Sequence, residues 1–135
     1  MFAWTYLGRS VPKVEGPVCV IDGDEGVRGS LDALLNTLPV EVVTFSSAEE
    51  FLEHLEDGIP SFLITELSLP GMTGFELLKA LHARDIHIPA LGLTEGSDSE
   101  MEEEASRLGV LGLLEKPFVH WAVLQRVQET LGLPV

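Results

Sequence analysis

A chain of 135 residues, 45% of them hydrophobic, is long enough for one domain that buries about 70% of the surface its unfolded form exposes, and too apolar for disorder. Twenty-two acidic residues against eight basic ones give a net charge of −14, which favours solubility and repels nucleic acid and anionic membrane. The single cysteine excludes an internal disulfide, and no apolar run reaches the ~18 residues that read as a membrane span. Met1 to Ser10 lacks the basic-then-apolar pattern of a signal peptide, so a cytoplasmic location is the default expectation.

Residues 1–16 read as an irregular extension in which Phe2, Trp4 and Tyr6 alternate, as in a short strand or a docking arm. Val18–Ile21 is a buried strand that ends at Asp22, and its Cys19 reads as a buried, inert thiol. The turn Asp22-Gly23-Asp24-Glu25 opens a helix predicted to run to about Leu38, with Val27, Leu31, Leu34 and Leu35 on one stripe. Val40–Phe45 is a second strand, and Ser46 or Ser47 caps a second helix reaching about Glu56. The apolar run from Phe62 ends on Glu66. Pro70, Gly71 and Gly74 then turn the chain into a third helix carrying Phe75, Leu77, Leu78 and Leu81. Pro89–Leu93 is a fourth strand ending at Thr94, and Ser97 or Ser99 caps a fourth helix, Glu100 to Leu108. Val110–Leu114 is the fifth strand. Glu115-Lys116-Pro117-Phe118 leads to a last helix, with His120, Val123, Leu124, Val127 and Leu131 at helical spacing.

Five strands alternating with five helices predict βαβ units with right-handed crossovers. The fold class is α/β: a doubly wound five-stranded parallel sheet of order 2-1-3-4-5 with helices on both faces. Residues 17–132 form the domain, and 133–135 are a short tail. In that order Asp22, Glu66, Thr94 and Lys116 arrive together at one sheet edge, where ligands of open α/β sheets bind. Singly each has a plain reading: Asp22 as a helix cap, Glu66 as a solvated loop acid, Thr94 as a strand residue, Lys116 as a surface lysine. Their joint arrival is what suggests a site.

These motifs, with Pro70 four residues and Gly74 eight residues after Glu66 and with Lys116-Pro117-Phe118 after the last strand, resemble the receiver domains of two-component response regulators, the CheY-like fold. The resemblance covers about residues 17–132. It implies a phosphoryl acceptor after the third strand, an acid pair after the first strand that helps to hold Mg²⁺, and a hydroxyl and a lysine that contact the phosphoryl group. Residue by residue, Glu66 stands at the acceptor position, Asp22 and Gly23 at the acid pair, Thr94 at the hydroxyl and Lys116 at the lysine.

The pattern breaks where phosphotransfer needs it. Glu66 stands where an aspartate is expected. Its extra methylene displaces the carboxylate by up to ~1.5 Å, while in-line attack needs reacting atoms within about 3–3.5 Å and aligned. Gly23 lacks the second acid, and Asp24 lies one residue too far along. Asp22, Glu66 and a carbonyl near Ser68 remain as metal donors, so weak Mg²⁺ binding or none is expected. Leu113 stands at the switch position that often holds an aromatic, and Glu95 adds charge beside the cup. The expected state is a receiver domain without phosphate chemistry, non-enzymatic, in which Glu66 reaches Lys116 and also Thr94.

The resemblance places partner contacts on the fourth helix, fifth strand and fifth helix. There the run Ser97-Asp98-Ser99-Glu100-Met101-Glu102-Glu103-Glu104 is either a solvated acidic face or a face for a basic partner. Trp121 falls off the last helix's apolar stripe, as a partner anchor or packed against the fourth helix. The partner class is protein: a histidine kinase, an output protein or a second copy of the chain. The competing readings are a conventional Mg²⁺-dependent phosphoacceptor using Asp22 or Asp24, and a flavin or nucleotide binder. The acids of the first turn argue against the latter because they repel phosphate. No DNA-binding domain follows the last helix before Val135, so the chain acts alone or as one piece of a longer polypeptide.

Overall fold

The structure is a computed structural model that describes residues 3–6, 9–12 and 14–134, with side chains from residue 14 onward. The parallel strands are β3 (Val18–Ile21), β4 (Val42–Phe45), β5 (Phe62–Glu66), β6 (Ala90–Thr94) and β7 (Val110–Glu115). Their spatial order is β4-β3-β5-β6-β7, the predicted 2-1-3-4-5 once the parallel strands are counted from Val18. The helices are α1 (Glu25–Leu35), α2 (Ala48–His54), α3 (Gly74–Ala83), α4 (Ser99–Arg107) and α5 (His120–Leu131).

Strand side chains alternate between two cores, because successive residues of a strand point to opposite faces. Val18, Val20, Phe62, Ile64, Leu91 and Leu93 pack with Leu31 and Leu35 of α1 and Val123 and Val127 of α5. Cys19, Ile21 and Leu63 pack on the other face with Phe51 of α2 and Leu77 and Leu81 of α3. Burial pushes the Cys19 thiol up to about 12, aided by the charge of Glu41, so it stays protonated and unreactive.

Several boundaries differ from the sequence reading. Residues 1–16 are not wholly irregular: β1 (Ala3–Tyr6) pairs antiparallel with β2 (Arg9–Pro12) in a separate two-stranded sheet. Phe2 lies outside the described residues. The first helix stops at Leu35, and the N–H groups of Thr37 and Leu38 tighten the last turn onto the Leu34 and Leu35 carbonyls. Leu38, which precedes Pro39, is disfavoured in helical conformation. The next strand starts at Val42 because the Val40 N–H turns back to the Leu38 carbonyl. Of the two candidate serines Ser47 caps α2, which ends in a 3-10 turn at Leu55–Asp57. Asp98 caps α4 in place of Ser97 or Ser99, its charged carboxylate accepting the Met101 N–H at 2.8 Å. Leu133 of the short tail is buried, its N–H bonded to the Gln128 carbonyl.

Candidate functional site

The first, third, fourth and fifth parallel strands end around one cup. β3 delivers Asp22, whose side chain is fully buried. Its Oδ1 accepts the Asp24 N–H at 2.8 Å, an Asx turn that sends the chain into α1. Asp24, and not Asp22, is the helix cap, with Oδ1 accepting from the N–H groups of Gly26 and Val27. β5 delivers Glu66. The turn behind it requires Gly74, because a Cβ there would collide with the Glu66 carbonyl oxygen. The Thr73–Glu76 capping box then starts α3. β7 delivers Lys116, whose N–H is bonded to the Thr94 carbonyl at 2.8 Å. The Lys116–Pro117 peptide is cis.

Lys116 is the centre of the cup. Its Nζ lies 2.8 Å from Asp22 Oδ2 and 3.2 Å from Glu66 Oε1, with Glu95 Oε1 at 3.9 Å on the solvent side. Glu66 Oε2 accepts the Gly23 N–H at 3.2 Å. Burial pushes the Asp22 carboxyl up, and the charge of Glu66 adds to this; the Lys116 ammonium and the Asp24 N–H offset it only in part. Lys116 is pulled down by burial, but hydrogen bonding and attraction from Asp22 and Glu66 outweigh that, so its ammonium is held above the ordinary lysine value.

The structure brings together Asp22, Glu66 and Lys116. It does not bring in Thr94, a correction to the expected reach of Glu66. The Thr94 hydroxyl donates to the Gly96 carbonyl at 2.7 Å, accepts the Gly96 N–H and lies 3.7 Å from Met101 Sδ. That local ST turn satisfies the buried hydroxyl without the carboxylate. Asp24 does not swing in either, because its oxygen caps α1. Leu113 is half-buried and sits over Gly92, where a Cβ would come within 2.8 Å of Leu113 Cδ2. Trp121 is 64% exposed, so the alternative of burial against α4 falls. Two partners escaped the sequence reading: the Gly23 N–H, a backbone donor with no side-chain signature, and Arg28, whose Nη1 donates to the Asp22 carbonyl at 2.7 Å. Beside the cup, a cleft of about 540 Å³ runs between the starts of α1 and α5, lined by Val27, Ser30, Phe118 and His120.

The residues fit a divalent cation poorly. Mg²⁺ wants near-octahedral oxygen ligation with several waters. Here Asp22 Oδ1 and both Glu66 oxygens accept hydrogen bonds from backbone N–H groups or from Lys116, and position 23 offers no side chain; Asp22 Oδ2 is buried without a hydrogen bond of its own and is matched by the Lys116 ammonium as an ion pair at 2.8 Å. Among the described residues no group of three or more His, Cys, Asp or Glu is arranged to hold a metal ion.

This sheet order, with an acid after the first strand, an acid after the third and a lysine after the fifth, defines a receiver domain. The chain belongs to the response regulator receiver domain family, whose model matches residues 18–128. It is 39% identical over 119 residues to the transcriptional regulatory protein FixJ of Azorhizobium caulinodans, covering 86% of this chain and 55% of the relative. It is 36% identical over 104 residues to FixJ of Bradyrhizobium diazoefficiens, covering 77% of this chain and 51% of the relative. The chain thus spans about half the length of these curated relatives. Among solved structures it resembles FixJ-N, with a TM-score of 0.76 and 32% identity over 90% of this chain and 97% of that one. It also resembles chemotaxis protein CheY4 of Vibrio cholerae, with a TM-score of 0.78 and 28% identity over 86% of this chain and 98% of that one.

Proposed function

We propose that this receiver domain signals without a phosphoryl group on residue 66 and acts through protein–protein contacts. The observation that carries the reading is the closed triad Asp22–Lys116–Glu66, in which the ammonium supplies the positive charge that the two acids would otherwise share with a metal. The Glu66 carboxylate takes up the lysine, as an anion at that position would. It carries about −1 against the −1.5 to −2 of a phosphate, and the Thr94 hydroxyl is turned to Gly96. The imitation therefore engages one of the two contacts and not the other. Asp22 and Asp24 are poor substitute acceptors, the first fully buried in an ion pair and the second bonded to the start of α1.

The contacts proposed for this domain lie on α4, β7 and α5, where Leu111 and Trp121 are exposed and α4 begins Ser99-Glu100-Met101-Glu102. The partner is a protein, either an upstream kinase or an output protein, and a homodimer would use the same face. We place the domain in the cytoplasm. No helix among the described residues is long and apolar enough to cross a membrane.

The test is intact mass after incubation with Mg²⁺ and acetyl phosphate, on the native chain and on Glu66→Asp. No adduct on the native chain is expected. A phosphoryl adduct on the native chain overturns the reading.

A further inference from the structure

Gly23 and Glu66 meet across the cup. Oε2 of Glu66 is 3.2 Å from the Gly23 nitrogen and Oε1 is 3.2 Å from Lys116 Nζ, so the carboxylate spans the gap between the ends of β3 and β5 with neither oxygen left over. A Cβ on Gly23 would stand 3.8 Å from Glu66 Oε2, an ordinary contact, with nothing else beyond its chain neighbours within 4 Å. The gap therefore admits a methyl group. A carboxylate carried on it, reaching ~1.5 Å further per bond, would meet Oε2 when turned into the cup. Three carboxylates would then face the single charge of Lys116. The space suits either a long acid opposite glycine, or two short acids opposite each other with a cation between them.

We infer that Gly23 and Glu66 form one coupled unit that closes a divalent-cation site: the Glu66 carboxylate, held by the Gly23 N–H and the Lys116 ammonium, fills the place where an ion would share Asp22, and the site opens only when both positions change. This rests on the reading that the native chain works without a metal. It adds that neither substitution alone accounts for the loss, because each is accommodated by the other.

The experiment titrates Mg²⁺ alone into four forms of the full chain, native, Gly23→Asp, Glu66→Asp and the double variant, and reads the heat of binding. The gain in Mg²⁺ affinity of the double variant over the native chain is expected to exceed the product of the two single-variant gains by a margin of about tenfold or more. A gain equal to that product means the positions act independently and overturns the inference. Native binding as tight as that of the double variant overturns the underlying reading and the inference with it. A phosphoryl adduct on the native chain with the margin intact overturns the reading and spares the coupling. Heat denaturation accompanies each titration. If Gly23→Asp unfolds the chain by itself but not when combined with Glu66→Asp, that rescue is the coupling seen in stability. If both fail to fold, Gly23→Asn, a neutral oxygen donor, replaces Gly23→Asp and the same tenfold margin decides.

Discussion

The cup and the α4–β7–α5 face are a few residues apart in the chain and opposite in physical character. In the cup, Asp22 is fully buried, while the Lys116 and Glu66 side chains are 13% and 16% exposed, and each of these charges has a partner. On the face, α4 buries Ala105 alone of its residues, β7 is only partly covered, and Trp121 is 64% exposed. A charge removed from water must be matched, so a change in the cup propagates to every group that matched it. A side chain already in water can be altered at little cost to the fold. Stability is thus bound to the cup, and the face is free for contact.

The sharpest way to break that contrast is Lys116→Met. It leaves Asp22 buried beside Glu66 without a cation, and removal of one partner from a buried ion pair costs about 3–5 kcal/mol. Denaturant unfolding should show a fall of this size, and a loss under ~1 kcal/mol would mean that the cup carries no such charge balance. Glu66→Gln is milder, because Asp22 still faces the lysine and an amide oxygen can still accept the Gly23 N–H. Loss of one hydrogen bond to a charged group predicts about 1.5–3 kcal/mol by the same measurement.

The pH dependence sharpens the contrast further. The folded-state pKa of Lys116 lies above its unfolded value, so its stabilising contribution is complete below the unfolded value of about 10.4. That contribution is lost as pH rises through the folded value. The stability gap between the native chain and Lys116→Met should therefore hold from pH 8 to 10 and narrow above it; a constant gap to pH 12 would place the lysine's role in packing alone. The sign is the same for Asp22: burial raises its folded pKa, so its contribution to stability is greatest below the unfolded carboxyl value and declines as pH rises through the folded value.

The smallest stability effect belongs to the face. Trp121→Ala should shift unfolding by less than about 0.5 kcal/mol. It should also weaken self-association or partner capture, read as a lower sedimentation coefficient at high concentration or as lost binding to a cognate protein. If both stay unchanged, Trp121 is not an anchor, and the face loses its strongest candidate contact.

The amino-acid sequence alone determined the sheet and the arrival of Asp22, Glu66 and Lys116 in the cup, whereas Thr94, which it also placed there, is turned away. Apolar runs of four and five residues closed by turn residues suit strands buried on both faces, and strands alternating with helical stripes favour parallel pairing. Topology then carries the strand ends to one edge. Segment ends were less legible, because competing donors and acceptors sit one or two residues apart: Asp98 prevailed over Ser97 and Ser99 as a cap, and Asp24 took the role open to Asp22. Side-chain pairing was left to the tertiary structure. Glu66, 50 residues from Lys116, pairs with it, while Thr94 turns instead to Gly96, two residues away, because a hydroxyl is satisfied by any near carbonyl and a buried ammonium is best matched by anions. The part played by Gly23 could be seen only in three dimensions, since it acts through a backbone N–H that leaves no mark on residue type.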